Sequence, residues 1–460
     1  MHFVKEYIRT KFPLILSLNI SLLLTGCSTS DFVNSFGDML GLNMHTSTEE
    51  PAQTQVEIEY IDSSADVSKE TPIDNVSSDE AASVAFSDNS EDDSASIDNP
   101  YYHDHEQKIY SMPNANEGLV TISFAGDVLL SEGCSVLNHV MRNNNDMTTS
   151  FDERLLSRMV DSDIFMLNNE FPYSQGGSPL PGKDYTFRAD PVYAECLKGI
   201  GTDIVSLANN HAFDFGPDAL DDTFKTLREI DMPYVGAGEN IHEAVKPAYF
   251  HVEDKVICII AATQIEGSMS IPHTRPATET ENGVFRCVDT TQIKEVTEEA
   301  KSKSDFVIIF IHWGTEKTDV VREWQMQTAR DLEGSGADLI IGAHSHCLQG
   351  IDYINDTPVF YSLGNYLFNS NKQDTCLVTL TLDISEQMPS IASLQFVPCI
   401  QNGGMTVEAD EADKSRIIRY EQGISYHALL DENGYVTPTD KNMNIQNGVN
   451  TSPMRPKEEE

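Results

Sequence analysis

Hydrophobic and polar positions divide this chain into three stretches of different character. Near the start, the run Leu14-Ile15-Leu16-Ser17-Leu18-Asn19-Ile20-Ser21-Leu22-Leu23-Leu24 is apolar and follows Lys5, Arg9 and Lys11. Its length is about half the ~20 residues that a membrane-spanning helix needs, so it reads as the core of a secretory signal. From Ser28 to about Ala115 neither a helical nor a strand period is sustained, and Ser, Asp, Glu, Thr and Asn dominate. Such a stretch buries too little apolar surface to offset the entropy of ordering, and it predicts a disordered acidic tether. From Gly118 onward, apolar runs of four to eight residues recur between longer mixed segments, the rhythm of an α/β domain. The runs predict strands at 119–125, 164–168, 204–208, 256–261, 306–311, 339–341 and 359–363. Helices are predicted from Gly216 to Ile230, opened by Pro217, and from Thr291 to Lys303. The expected organisation is a signal at 1–27, a linker at 28–115, a folded domain at 116–430 and a mobile polar tail at 431–460.

Composition changes this picture in two ways. The chain has 460 residues and a formal net charge of -43. A field of that sign repels polyanions, which excludes nucleic acid as an expected partner. The signal ends in Leu24-Thr25-Gly26-Cys27, which resembles the bacterial lipobox, where the cysteine is acylated and becomes the mature N-terminus. The resemblance implies a lipoprotein held by Cys27 on the outer face of a membrane. Seven further cysteines, at 134, 196, 258, 287, 347, 376 and 399, form no CxxC pair, and several lie in apolar runs. They specify no disulfide framework.

The chemistry lies where strands end. Five predicted strands each run into a polar cluster: Gly126-Asp127, Asn168-Asn169-Glu170, Asn209-Asn210-His211, His312-Trp313-Gly314 and Gly342-Ala343-His344-Ser345-His346. In open α/β sheets ligands bind outside the carboxyl ends of the strands, so five such clusters predict one shared site. Carboxylates, an Asn carbonyl and imidazoles form a mixed oxygen and nitrogen set suited to Mn, Zn, Fe or Mg. No Gly-rich phosphate loop and no Ser-centred nucleophile elbow is present. Isolated histidines such as His139, His242 and His273 read as surface or structural residues. Trp313 reads as packing. Asp214 and Glu316 read as groups that orient an imidazole or cap a helix, and Asn365 as a residue that could line the site.

The motifs Phe124-Ala125-Gly126-Asp127, Asn169-Glu170-Phe171-Pro172, Ala208-Asn209-Asn210-His211, His312-Trp313-Gly314, Gly342-Ala343-His344-Ser345-His346 and Ser362-Leu363-Gly364-Asn365-Tyr366 occur in that order. Together they resemble the CapA, or poly-γ-glutamate capsule synthesis, family over about residues 118 to 400. That family is similar to calcineurin-like metallophosphoesterases, which implies a four-layer α-β-β-α sandwich of mixed sheets and a divalent metal centre of one or two ions. Carried over, the resemblance assigns Asp127 to a first metal, Glu170 to a bridge, and Asn210, His312 and His344 to a second metal. It places His346 at the first site and makes His211 the acid that protonates a leaving oxygen. The chain departs from the phosphoesterase pattern at two positions: Leu129 stands where a histidine is usual, and Glu170 replaces the usual bridging Asp.

Three functions follow as expectations. The first is a cell-surface lipoprotein that helps make, export or anchor an anionic capsule polymer, with the polymer and its synthase or export proteins as partners. The second is a metal-dependent extracytoplasmic phosphoesterase. The third is a metal-binding domain without catalysis.

Overall fold

The computed structural model describes residues 103–112, 118–265, 274–368 and 372–444, and as backbone only 43–47, 55–59, 445–446 and 449–450. The signal, Cys27 and the last ten residues lie outside the described residues. The chain divides into two units, Met1–Asp88 and Asn89–Glu460. In the first, Asn43–Ser47 and Gln55–Glu59 pair as an antiparallel ribbon, with Asn43 opposite Glu59. That ribbon is a departure from the structureless tether that composition predicts.

In the second unit five strands carry the polar clusters: β1 (Leu119–Val128), β2 (Ile164–Asn169), β3 (Ile204–Ser206), β4 (Phe306–His312) and β5 (Leu339–Ala343). One eight-stranded sheet has β1, β2 and β3 side by side and parallel, with the antiparallel strands Gln373–Asp383, Ser390–Asn402 and Met405–Glu408 added beyond β1. The second eight-stranded sheet has β4 and β5 parallel between Lys255–Thr263 and Thr357–Leu363. Both sheets are mixed.

Every residue of β2, β3, β4 and β5 is buried, because helices cover the outer face of each sheet while the sheets cover one another. Strands buried on both faces read as unbroken apolar runs, which is why the sequence marks them. The period of two then sorts each strand between layers. Ile122, Phe124, Ile164, Met166, Ile308, Phe310 and Ile341 point into a core between the sheets. On the outer side of the first sheet, Phe165 and Leu167 meet Leu220, Phe224 and Leu227 of helix α1 (Pro217–Glu229). On the outer side of the second, Val307, Ile309 and Ile311 meet helix α2 (Thr291–Lys303) through Ile293 and Ala300, and α3 (Glu323–Gly334) through Met326 and Ala329. The result is the four-layer α-β-β-α sandwich. Fully burying one of these Phe or Ile side chains contributes about 1.5–3 kcal/mol.

Two domain limits differ from expectation. Residues 103–112, read as linker, form a hairpin whose second strand, Ile109–Met112, pairs in parallel with Ala248–Val252 of the second sheet. Tyr110 anchors it, buried to 1%. At the other end, Val436–Pro438 pairs with Ala428–Leu430, so the folded unit runs past 430.

Candidate metal centre

The register aligns the strand ends. Asp127 lies opposite Asn168, Asn168 opposite Ser206, and His312 opposite Ala343, so both sheets deliver their polar clusters to one edge. Strand β1 runs three residues further than its apolar pattern, because the short strand Asn365–Leu367 pairs with its end. The Asp127 N–H donates to Gly364 O at 3.0 Å. Gly126 makes that approach possible, since a Cβ there would lie 2.0 Å from Gly364 O. After β5 the chain turns sharply, and His344 and His346 take φ of 98° and 56°. Left-handed backbone costs a non-glycine residue about 1–2 kcal/mol, and here it aims two imidazoles at the same point.

The expected site residues come together. Asp127, Glu170, Asn210, His211, His312 and His344 are all 5% exposed or less, and the His346 side chain is 14% exposed. Asp127 accepts from Asn168 Nδ2 at 2.8 Å, and its other oxygen lies 3.3 Å from His346 Nδ1. His312 Nε2 is 2.8 Å from Asn210 Oδ1 and 3.1 Å from His344 Nδ1. Glu170, His344 and His346 each offer a ligand atom within 4.8 Å of the others. Around Glu170 Oε1 stand three imidazole Nε2 atoms, of His211, His312 and His346, at 3.9, 3.9 and 4.0 Å. That oxygen is buried and has no hydrogen-bond partner among the described residues.

Electrostatics repeats the geometry. Burial pushes the Glu170 carboxyl well above its ordinary range, and the neighbouring Asp127 adds to the push. Burial acts on Asp127 in the same direction, but hydrogen bonds and charge from His346 and the bond from Asn168 outweigh it and hold that carboxyl low. His346 shifts upward: its burial is outweighed by Asp127. Burial and neighbouring imidazoles drive His312 and His344 well down, so both stay neutral, the form that lends a lone pair to a metal. Two buried carboxylates a few ångströms apart ionise together only beside compensating positive charge. An orphaned carboxylate oxygen ringed by imidazole nitrogens fits a divalent cation.

His211 is set apart by its support. Its Nδ1 lies 2.7 Å from Asp214 Oδ2, its ring packs on Phe187 at 4.4 Å between centroids, and its Nε2 faces Glu170. Burial lowers this imidazole and Asp214 opposes the shift. Asp214 therefore orients the imidazole and stabilises its protonated form. Its second oxygen accepts from Lys183 Nζ, which also donates to Asn210 O at 2.5 Å.

Sequence reasoning missed Lys183 and left Asn168 without a role. Asn168 Nδ2 reaches Asp127, Glu170 and His312 together and braces all three. Lys183 and Arg188 are the only basic residues between Phe171 and Asp190 of a strongly acidic chain, the one signal that could have drawn attention to that loop. Asn365 does line the site, with Oδ1 2.9 Å from His346 Nδ1. Trp313 is fully buried and donates to Tyr361 O at 2.8 Å, which is a packing role. Leu129 is buried in the outer apolar core of the first sheet, so position 129 supplies no ligand.

Comparison with known proteins places the chain among capsule-synthesis relatives. The chain is 29% identical over 315 residues to the capsule biosynthesis protein CapA of Bacillus anthracis, covering 66% of this chain and 73% of that one. It is 28% identical over 273 residues to the PGA biosynthesis protein CapA of Bacillus subtilis (strain 168), covering 57% and 68%. A probable polyglutamine synthesis accessory protein of Mycobacterium tuberculosis is 26% identical over 211 residues, covering 44% and 55%. Residues 121–370, which hold all six motifs, match the model of the bacterial capsule synthesis protein family PGA_cap, and the chain belongs to that family.

Proposed function

We propose that this protein serves the synthesis, export or anchoring of an anionic capsule polymer of the poly-γ-glutamate type, from the outer face of a membrane to which a lipid on Cys27 holds it. Support for the polymer comes from the named relatives, and support for the location from the signal and lipobox pattern. Among the described residues no helix is long and apolar enough to cross a membrane. A chain of net charge -43 does not by itself attract a polyanion, so contact would run through bound cations.

The carrying observation is Glu170 Oε1, buried, unpartnered and faced by three imidazole nitrogens. Asp127, Glu170, Asn210, His312, His344 and His346 would hold a divalent cation of the Mn, Zn, Fe or Mg class. The buried Leu129 favours one ion over two. Such an ion supplies Lewis-acid stabilisation of the charge that builds on a phosphoryl or acyl oxygen under attack. Asn168 keeps the carboxylates in place, and Asp214 keeps His211 Nε2 aimed across the site, where it would hand a proton to a leaving oxygen.

The test is direct. Replacing the gene by one encoding His344→Ala should lower surface polymer as deletion does, and the purified variant should retain less metal than the parent. Unchanged polymer after deletion would end the capsule reading.

The His211–Asp214 pair favours a second reading, hydrolysis of a phosphoester or related bond. Metal-loaded protein should then turn over a phosphoester, and His211→Ala should not. Full metal occupancy with no turnover of any phosphoester would leave binding alone.

A further inference from the structure

A second cluster of metal-ligating side chains lies at the edge of the second sheet, apart from the strand-end centre. His103 belongs to the short strand His103–Asp104 and His105 opens the turn that follows it, so the two imidazoles are two residues apart. Asp231 sits just beyond α1, at φ 55°, with its N–H on Arg228 O at 3.1 Å, the left-handed residue that closes a helix. Both imidazoles converge on its carboxylate. His105 Nε2 lies 2.6 Å from Oδ1, and His103 Nδ1 lies 3.3 Å from Oδ1 and 3.2 Å from Oδ2. The three side chains each offer a ligand atom within 4.8 Å of the others.

Tetrahedral zinc, with bonds of about 2.0–2.2 Å, separates its ligand atoms by roughly 3.3 Å; the His103–Asp231 separations have that value, and the 2.6 Å His105 contact would open by about 0.7 Å to admit the ion. The rings are not free to drift. Tyr110, buried to 1%, stands directly opposite His103 across the hairpin. Its ring meets those of His103 and His105 edge-on, at 5.5 and 5.6 Å between centroids. The side chains are 29%, 21% and 59% exposed for His103, His105 and Asp231, so solvent reaches the site and water could complete a coordination sphere. Among the described residues nothing hydrogen-bonds to the buried His105 Nδ1, and the hydrogen bond of that ring is with the carboxylate that a cation would share. Two imidazoles on one carboxylate alone make a surface hydrogen-bond cluster. A common point of convergence, a fixed backing ring and an open side together go further.

We infer that His103, His105 and Asp231 form a second metal site, independent of the strand-end centre, for a borderline transition cation such as Zn2+. Imidazole-rich sets prefer zinc, nickel and copper over magnesium and calcium. The ligands are up to 128 residues apart in sequence, so a bound ion would clip the first described hairpin of the folded unit to the end of α1. A clip across so long a loop restricts the unfolded chain more than the folded one.

The experiment uses the full chain, stripped with chelator, with Zn2+ alone as the probe. Calorimetric titration should show the parent binding one more zinc than His103→Ala/His105→Ala. The variant His344→Ala/His346→Ala should retain one site, resistant to millimolar Mg2+, and zinc should raise its melting temperature by several degrees. Asp231→Asn, which alters only an exposed side chain, should weaken that site at least tenfold while the metal-free melting temperature stays within about 2 °C of its background. Equal zinc stoichiometry in the parent and His103→Ala/His105→Ala would overturn the assignment. So would loss of all zinc from His344→Ala/His346→Ala, or zinc retained when all four histidines are replaced.

Discussion

Asp214→Asn tests whether the support of His211 is a built device or a crowded loop. The Asp214 carboxylate is fully buried and accepts three donors on two oxygens: Lys183 Nζ on Oδ1, and His211 Nδ1 and the Phe187 N–H on Oδ2, the last two at 2.7 Å each. Asparagine keeps the shape but has one acceptor oxygen and one amide group, so in either orientation the amide faces a donor. The Lys183 side chain, 3% exposed, loses its counter-charge. Removing one partner of a buried pair costs about 3–5 kcal/mol, and a stranded donor about 1–3 kcal/mol. The lysine itself sets a ceiling. Its ordinary value is 10.5, and already burial pulls it down while Asp214 resists. Losing its proton at pH 7 would cost about 5 kcal/mol at 1.36 kcal/mol per pH unit, so the charged form cannot cost more than that. The Asn210 carbonyl still accepts from Lys183, which puts the expected loss near 3 kcal/mol, or roughly 4 °C in melting temperature for a folded unit of this size.

The sign with pH is fixed as well. A lysine depressed in the folded state gives up stability as pH falls below its unfolded value, and the variant's lysine is depressed further than the parent's. The gap between the two proteins should therefore be widest near pH 7 and close toward pH 10. Thermal unfolding at pH 7 and 9 measures it, with Lys183→Met and the double variant completing a cycle. A melting temperature within 1 °C of the parent, or a strictly additive double variant, would refute the reasoning.

Three further outcomes are expected. Gly126→Ala should lower stability by at least about 2 kcal/mol in a denaturant titration, since its Cβ would lie 2.0 Å from Gly364 O and must push apart the strands that present Asp127 and Asn365. Lys108 is fully buried, burial pulls it down to about 8, and its Nζ donates to Glu243 O at 3.1 Å. The parent should therefore gain stability relative to Lys108→Met as pH rises from 8 to 10.5, a change of up to about 3 kcal/mol that pH-dependent unfolding reads. Burial pushes the Cys347 thiol up to about 11, and it alone of the seven described cysteines is partly exposed; all seven are free thiols. In a Cys27→Ala protein a thiol reagent should label Cys347 slowly and the other six only on unfolding.

What the sequence showed of this molecule divides along physical lines. Strands buried on both faces announce themselves: Phe306–His312 is apolar for six residues and then polar, and that break marks both the strand end and a site residue. Strands half open to solvent do not. Gln373–Asp383 alternates through Thr379, Leu380, Thr381 and Leu382, and Ala248–Val252 through Tyr249 and His251, so neither forms an apolar run, yet together they widen both sheets. The hairpin at 103–112 was hidden for a further reason, because the four residues of Ile109–Met112 cannot outweigh about eighty of acidic, aperiodic chain on one side of them. The site followed the same rule. Its candidate ligands were legible since each lies at or just past the end of a strand, whereas the lysine that holds Asp214 comes from a loop with no period. Lys183 meets Asp214 through a closure of 31 residues, and no local pattern encodes such a contact. Ligands fixed by strand register survive as a readable order of motifs. Groups delivered by loops, Lys183 and Phe187 here, are legible only in the folded chain.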